Sequence, residues 1–146
     1  MSEDAVVRYI TDTFAGVEAL AASGDYYFFY QPGGNVPPDH RFPFATLVTA
    51  DRHDRFSNLD RPGVFRLNVG VAKETFRSLF GPQPPEDGYD FTVLDRIMPH
   101  PVYGKMYWVC VLSPGGETFE AVKPLLAEAY DAAVKRHTKA HPTEET

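Results

Sequence analysis

The chain has 146 residues and a formal net charge of −6. This length fits one ordinary domain, and the hydrophobic fraction of 43% is that of a globular protein, which excludes disorder and fibrous repeats. The acidic balance is opposite in sign to that of a typical nucleic-acid-binding protein.

Cysteine usage and the apolar runs indicate the compartment. Cys110 is the single cysteine, so an intramolecular disulfide and a cysteine-rich metal site are excluded. We find no signal-peptide pattern at the N-terminus, and the longest apolar runs fall well short of the roughly 20 residues that span a bilayer. We therefore expect a cytoplasmic protein with no membrane partner.

The first third of the chain predicts one helix and two strands. Ser2 can cap a helix from about Glu3 to Ser23, whose apolar residues recur every three or four positions before a glycine stop. The aromatic run 25–30 and the segment 44–50 are strand candidates. A loop rich in glycine and proline, residues 31–43, joins them.

The middle of the chain predicts a strand with two different faces. Residues 64–69 alternate apolar and polar side chains, which is typical of a sheet with one covered and one polar face. Arg66 and Asn68 fall on the polar side. A short helix is predicted over residues 72–80, and a stiff loop over 82–88.

The last third predicts a covered strand and a long helix. Residues 89–98 have apolar residues at roughly helical spacing, and we expect one or two turns there. Residues 106–112 are apolar on both faces, as in a central strand. A helix ends near Lys139, and Pro124 lies inside its apolar pattern without an amide donor, so the helix either begins near Lys123 or kinks there.

The segment 51–66 is the most distinctive, because it carries four of the nine arginines and three aspartates. Arginine suits carboxylates and phosphates, so Arg52, Arg55 and Arg61 are candidates for an anion site. The alternative is a salt-bridged loop, since aspartates can pair with these arginines. Arg66 is the stronger candidate, and we expect Arg66→Ala to abolish binding of an anionic ligand with little effect on stability.

His100 lies between two prolines, which restrict the backbone and hold the imidazole in a defined direction. Near Tyr103 it could act as a general base or donate a hydrogen bond to a ligand. The alternative is a structural histidine bonded to a loop carbonyl. We therefore predict that Arg66, Asn68, His100 and Tyr103 bind a small molecule, in a pocket flanked by aromatic side chains.

Catalysis and cofactor binding have little support. Cys110 lies mid-strand among large apolar residues, where burial would raise the pKa of its thiol and make it inert. No nucleophile elbow, P-loop or dinucleotide motif occurs, and no two histidines have a metal-ligand spacing. We predict no catalytic residue, no metal and no cofactor. Trp108 could stack on a planar ligand, but we expect it, with Cys110, in the core.

Three landmarks of the second half occur in a recognisable order: a Pro/Gly-Tyr turn with Tyr103, a strand with Trp108, and a terminal helix with Tyr130. With them the chain resembles the MmcQ/YjbR-like family, and more closely an uncharacterised bacterial branch of it, a domain of unknown function. Asn68 in its strand, followed by the Lys73–Phe80 helix, is similar to the middle portion of that family.

The resemblance implies an α+β fold, an antiparallel sheet with the N- and C-terminal helices packed on one side. We expect residues 1–140 to form one such domain and residues 141–146 a frayed tail. The resemblance also implies DNA binding through a double-wing motif. Of the basic residues that family members carry before the tryptophan only Lys105 remains, so we rank a DNA-binding or protein-interaction module second to small-molecule binding.

Overall fold

The computed structural model describes residues 1–32, 42–82 and 88–140. The helices in these ranges are α1 (Glu3–Thr13), α2 (Lys73–Phe80) and α3 (Gly116–Ala140). The strands are β1 (Val17–Ala22), β2 (Asp25–Tyr30), β3 (Ala45–Val48), β4 (Arg66–Gly70), β5 (Met98–Pro99) and β6 (Trp108–Leu112). They form one antiparallel sheet in the order β1-β2-β3-β4-β6-β5. A 3-10 turn, Gly104–Met106, precedes β6.

One face of the sheet, which we call the helix face, carries the main core. Side chains alternate along a strand, so Leu67 and Val69 on β4 face the same way as Val109 and Val111 on β6. The helices contribute Val6, Ile10, Phe76, Phe119, Val122, Leu126 and Ala129 to this core, and Phe14, which directly follows α1, also belongs to it. The predicted α+β class, with an antiparallel sheet and both terminal helices on one side, is confirmed.

The opposite face, which carries Arg66 and Asn68, is the loop face. A smaller apolar cluster lies there, in which Leu59 of the segment 51–63 packs with Met98 and Cys110. The sheet is therefore covered on both sides over part of its area, by helices on one face and by irregular chain on the other.

The predicted N-terminal helix is wrong beyond Thr13, because residues Val17–Ala22 form a strand. Gly16, with a φ of +79°, turns the chain after the helix. Ser23 and Gly24 both have positive φ and close a hairpin between β1 and β2. Pairing with the aromatic strand β2 outweighs the helical propensity of a segment rich in alanine.

Two further predictions are corrected. Residues 89–98 form turns that end in the short strand β5, rather than helical turns, because Met98 pairs with Cys110 of β6. The last helix runs without a break from Gly116 to Ala140 through Pro124, so a start near Lys123 is wrong. Pro124 is exposed, and the backbone position without an amide donor faces solvent.

The other predicted elements are confirmed to within one or two residues at their ends: β2, β3, β4, α2 and β6. Most of the predicted loops 31–43 and 82–88, and the predicted tail 141–146, lie outside the described residues. No helix in the described part of the chain is long and apolar enough to cross a membrane.

Candidate ligand site

A cavity of about 740 Å³ opens on the loop face. Its base is set by strand register: Thr46 on β3 pairs with Tyr27 on β2 and with Asn68 on β4, so the three side chains lie in a row on one face. The lining residues are Tyr27, Phe42, Pro43, Thr46, Val48, His53, Asp54, Arg66, Asn68, His100, Tyr103, Met106, Trp108 and Arg136.

Among the described residues Arg66 is the largest fully buried side chain, and it is the centre of a polar network in this cavity. Its Nη1 and Nη2 donate to the two carboxylate oxygens of Asp54, at 3.1 and 2.7 Å. Its Nε donates to Asn68 Oδ1 at 3.0 Å, and Nη1 also donates to Ser57 Oγ at 2.9 Å. The planar guanidinium is thus held in one orientation by hydrogen bonds on several sides.

The ion pair also sets the charge state of Asp54. Burial would raise the pKa of this carboxyl, but the hydrogen bonds and the charge of Arg66 outweigh it and hold the pKa below its ordinary value. The carboxylate is ionised at neutral pH and cancels the arginine charge. The buried ion pair argues against the expectation that Arg66 can be removed with little effect on stability, because its removal would leave the Asp54 carboxylate as an unpaired charge.

His100 is 5% exposed and is fixed by its own loop. Its Nδ1 accepts hydrogen bonds from the amides of Val102 and Tyr103, each at 3.0 Å. Burial and the nearby charge of Arg66 lower the pKa of the imidazole to about 3, so the ring is neutral at neutral pH. His100 thus accepts hydrogen bonds from two loop amides. The alternative of a structural histidine had it donate to a loop carbonyl instead.

A second polar cluster positions His53 at the edge of the cavity. Asp25 is 1% exposed and accepts hydrogen bonds from the Thr49 amide at 2.9 Å and from Arg52 Nη2 at 2.5 Å. Burial would raise the pKa of Asp25, but these partners outweigh it and lower the pKa. His53 Nε2 lies 3.2 Å from the carboxylate and 3.1 Å from the hydroxyl of Tyr27.

The structure does not gather the predicted anion-site arginines into one site. Arg52 is paired with Asp25, and Arg61 donates to the backbone carbonyls of Ser57, Asn58 and Thr92. Arg55 is exposed and does not line the cavity.

The aspartates of this segment also differ from the salt-bridged alternative. Asp51 accepts from the Leu59 amide at 2.8 Å, and Asp60 accepts from the Asp51 amide at 3.1 Å. Both carboxylates thus hold the loop backbone in place. Asp54 is the aspartate of the segment that the structure shows in an arginine pair, with Arg66.

Exposed apolar side chains surround the mouth of the cavity. Phe42, Met106 and Tyr103 are 72%, 63% and 51% exposed, and we call them the apolar rim. Trp108, expected in the core, is instead half-buried and lines the cavity, with its ring against Gly70. Cys110 is buried as expected, and burial raises the pKa of its thiol to about 12.

All four predicted ligand-binding residues, Arg66, Asn68, His100 and Tyr103, line this one cavity. Their binding of a ligand stays a prediction. Sequence reasoning missed several other lining residues: Tyr27, Phe42, Thr46, His53, Asp54, Arg136 and, as a site residue, Trp108. Strand alternation carried over to β2 and β3 would have found Tyr27 and Thr46. Among the described residues, no three His, Cys, Asp or Glu side chains are grouped as a metal site requires.

Comparison with known proteins places the chain in a family. The profile of a Family of unknown function (DUF6194) matches residues 1–142. No curated protein and no solved structure matches the chain significantly. Because the profile covers nearly the whole sequence, the chain belongs to the DUF6194 family.

Proposed function

We propose that this protein binds a small, partly apolar molecule in the loop-face cavity. The observation that carries the proposal is a buried polar floor, formed by Asp54, Arg66, Asn68 and His100, beneath the exposed apolar rim. Ligand pockets of roughly 300–1,000 Å³ combine apolar walls with a few fixed polar groups in this way.

Stability alone does not account for the buried polar floor. Buried ion pairs contribute little compared with well-packed apolar side chains of similar volume, because both charges lose their hydration. Here the pair lies at the base of an open cavity, where its orientation can select a ligand. The rim adds apolar area that a ligand would remove from water, which favours binding.

Binding without catalysis agrees with the state of the reactive side chains. The thiol of Cys110 is buried and protonated, and Nδ1 of His100 is engaged by loop amides. The proposal therefore needs neither a cofactor nor a metal.

DNA or protein interaction, implied by the resemblance to the MmcQ/YjbR-like family of bacteria, is the second candidate. The charge distribution counts against duplex DNA, since Arg52 and Arg66 are each paired with a carboxylate and the net charge is −6. We place the protein in the bacterial cytoplasm, and we propose residues 1–140 as one domain.

A fragment library screened by thermal shift and mapped by amide NMR tests the proposal, because specific binding raises stability by mass action. Hits should perturb the amides around the cavity. Met106→Glu, at the apolar rim, should weaken the affinity for these hits about tenfold or more, whereas Leu79→Glu should leave the affinity unchanged. Leu79 is a matched control because it is also an exposed apolar residue but does not line the cavity.

A diverse library without any hit at the cavity would refute small-molecule binding. Submicromolar binding of duplex DNA that survives about 150 mM salt would place the second candidate first.

A further inference from the structure

Two buried hydrogen-bond donors face each other at the polar floor. All but one of the guanidinium N–H groups of Arg66 have an acceptor in Asp54, Ser57 or Asn68. The remaining Nη2 hydrogen is directed at His100 Nε2, 3.4 Å away.

The partners of the other ring nitrogen decide whether Nε2 can accept it. His100 Nδ1 receives two amide hydrogens and so carries none itself. A neutral imidazole has one N–H, which must then be on Nε2. Arg66 Nη2 and His100 Nε2 are therefore both donors, and among the described residues neither of these two hydrogens has an acceptor.

A buried donor without an acceptor destabilises a protein by its lost hydration. One oxygen atom placed in the cavity beside both nitrogens would satisfy the two hydrogens together. We propose that the Arg66–His100 pair recognises the carbonyl oxygen of an uncharged, planar ligand. This inference rests on the proposed function and specifies its ligand class.

The choice of an uncharged oxygen follows from the charges around the pair. Asp54 Oδ2 lies 2.7 Å from the same Arg66 Nη2 that would contact the ligand, so its carboxylate already neutralises the guanidinium. A ligand carboxylate would be placed close to a like charge in a partly dehydrated site. Among the described lining residues the other arginine is Arg136, which is exposed to solvent and its screening.

The choice of a planar ligand follows from the walls. Trp108 presents a large aromatic ring in the cavity, held so close to Gly70 that a side-chain carbon added to this glycine would lie only 3.0 Å from the nearest ring atom. The ring of Tyr103 lies 5.0 Å from that of His100. Flat rings offer favourable stacking partners to another flat molecule.

The tautomer is tested first, without a ligand. In protein labelled with ¹⁵N-histidine, the His100 signals, identified by their loss in His100→Gln, should show a bare Nδ1 and a protonated Nε2 at neutral pH. They should keep that form at about pH 5, because the neutral ring is enforced by burial. A protonated Nδ1 would mean that Nε2 accepts from Arg66, and would overturn the inference.

The ligand class is tested with benzamide and benzoate, which share one ring and differ in charge. Benzamide should bind at the cavity at least about tenfold more tightly than benzoate and shift the His100 Nε2 resonance. Leu79→Glu, which lies outside the cavity, should retain this preference. Equal or tighter binding of benzoate would overturn it.

If neither compound binds while other library fragments occupy the cavity, carbonyl recognition is wrong and small-molecule binding stands. If no fragment of any class binds there, both are wrong.

Discussion

Arg66→Met removes the charged head of a buried side chain and retains much of its aliphatic stem. Asp54, whose side chain is 8% exposed, would lose both hydrogen bonds from the guanidinium, and Ser57 and Asn68 would each lose one. Breaking a buried ion pair by removing one partner costs about 3–5 kcal/mol, because the other charge stays dehydrated and unpaired. We expect a loss of this size in the free energy of unfolding at neutral pH.

The loss should depend on pH in a defined direction. In the native protein the folded pKa of Asp54 lies below the ordinary 3.8, so its ion pair stabilises above that pH and the contribution is lost as the pH falls through the folded pKa. Without Arg66, burial is the largest remaining influence on Asp54, so we expect its folded pKa to rise above the ordinary value. The variant is then destabilised as the pH rises, so the difference between the two proteins shrinks on acidification.

Urea unfolding followed by far-UV circular dichroism, at neutral pH and near pH 4, measures both effects, because an ordinary aspartate is ionised at neutral pH and about half protonated near pH 4. Arg66→Met combined with Asp54→Asn is the control, since it also removes the Asp54 charge that Arg66→Met alone leaves without a partner. It should lose less stability than Arg66→Met alone. A loss below about 1 kcal/mol for the single variant, or a loss that grows toward acid pH, would refute the reasoning.

Three further changes test other parts of the structure. Gly70→Ala puts a carbon 3.0 Å from the Trp108 ring, so the ring should move and its fluorescence emission should shift; an unchanged spectrum would contradict this packing. Pro124→Ala should raise the free energy of unfolding by about 1–3 kcal/mol, because it provides an amide donor for the Glu120 carbonyl at an exposed helix position; unchanged or lower stability in urea would contradict this. His100 has its pKa lowered from 6.5 to about 3, so it makes stability fall as the pH drops between these values; His100→Gln should flatten that part of the stability curve, and an unaltered slope would argue that the ring is charged when folded.

Local sequence pattern determined much of the fold. The alternation over residues 64–69 places Arg66 and Asn68 opposite Leu67 and Val69, because successive side chains of a strand point to opposite faces whatever lies around them. The spacing of apolar residues in α3 likewise needs no partner to be recognised. The aromatic run that became β2 was predicted with both its ends.

The first hairpin shows where local pattern fails. Residues Val17–Ala22 include three alanines and a leucine, which are good helix formers, and they continue the apolar spacing of α1. Their strand conformation depends on hydrogen bonds to β2 across the turn at Ser23 and Gly24. Tertiary pairing overrides propensity because the aromatic strand offers a row of backbone partners and packing contacts.

Which residues meet in the site could be seen only from the tertiary structure. The members of the site were recognised from sequence as a strand arginine and a proline-flanked histidine, but Arg66 and His100 are 34 positions apart, and nothing local indicates that their nitrogens meet. Asp54 reaches Arg66 because the segment 51–63 folds back over the loop face. Sequence alone determined which face of β4 is polar. The tertiary structure decided that Arg66 and Asn68 on this face are buried, that the arginine charge is neutralised and that Arg66 Nη2 and His100 Nε2 lie 3.4 Å apart. These properties arise from distances between segments remote in the chain, and a pattern with a period of two or four residues does not encode such distances.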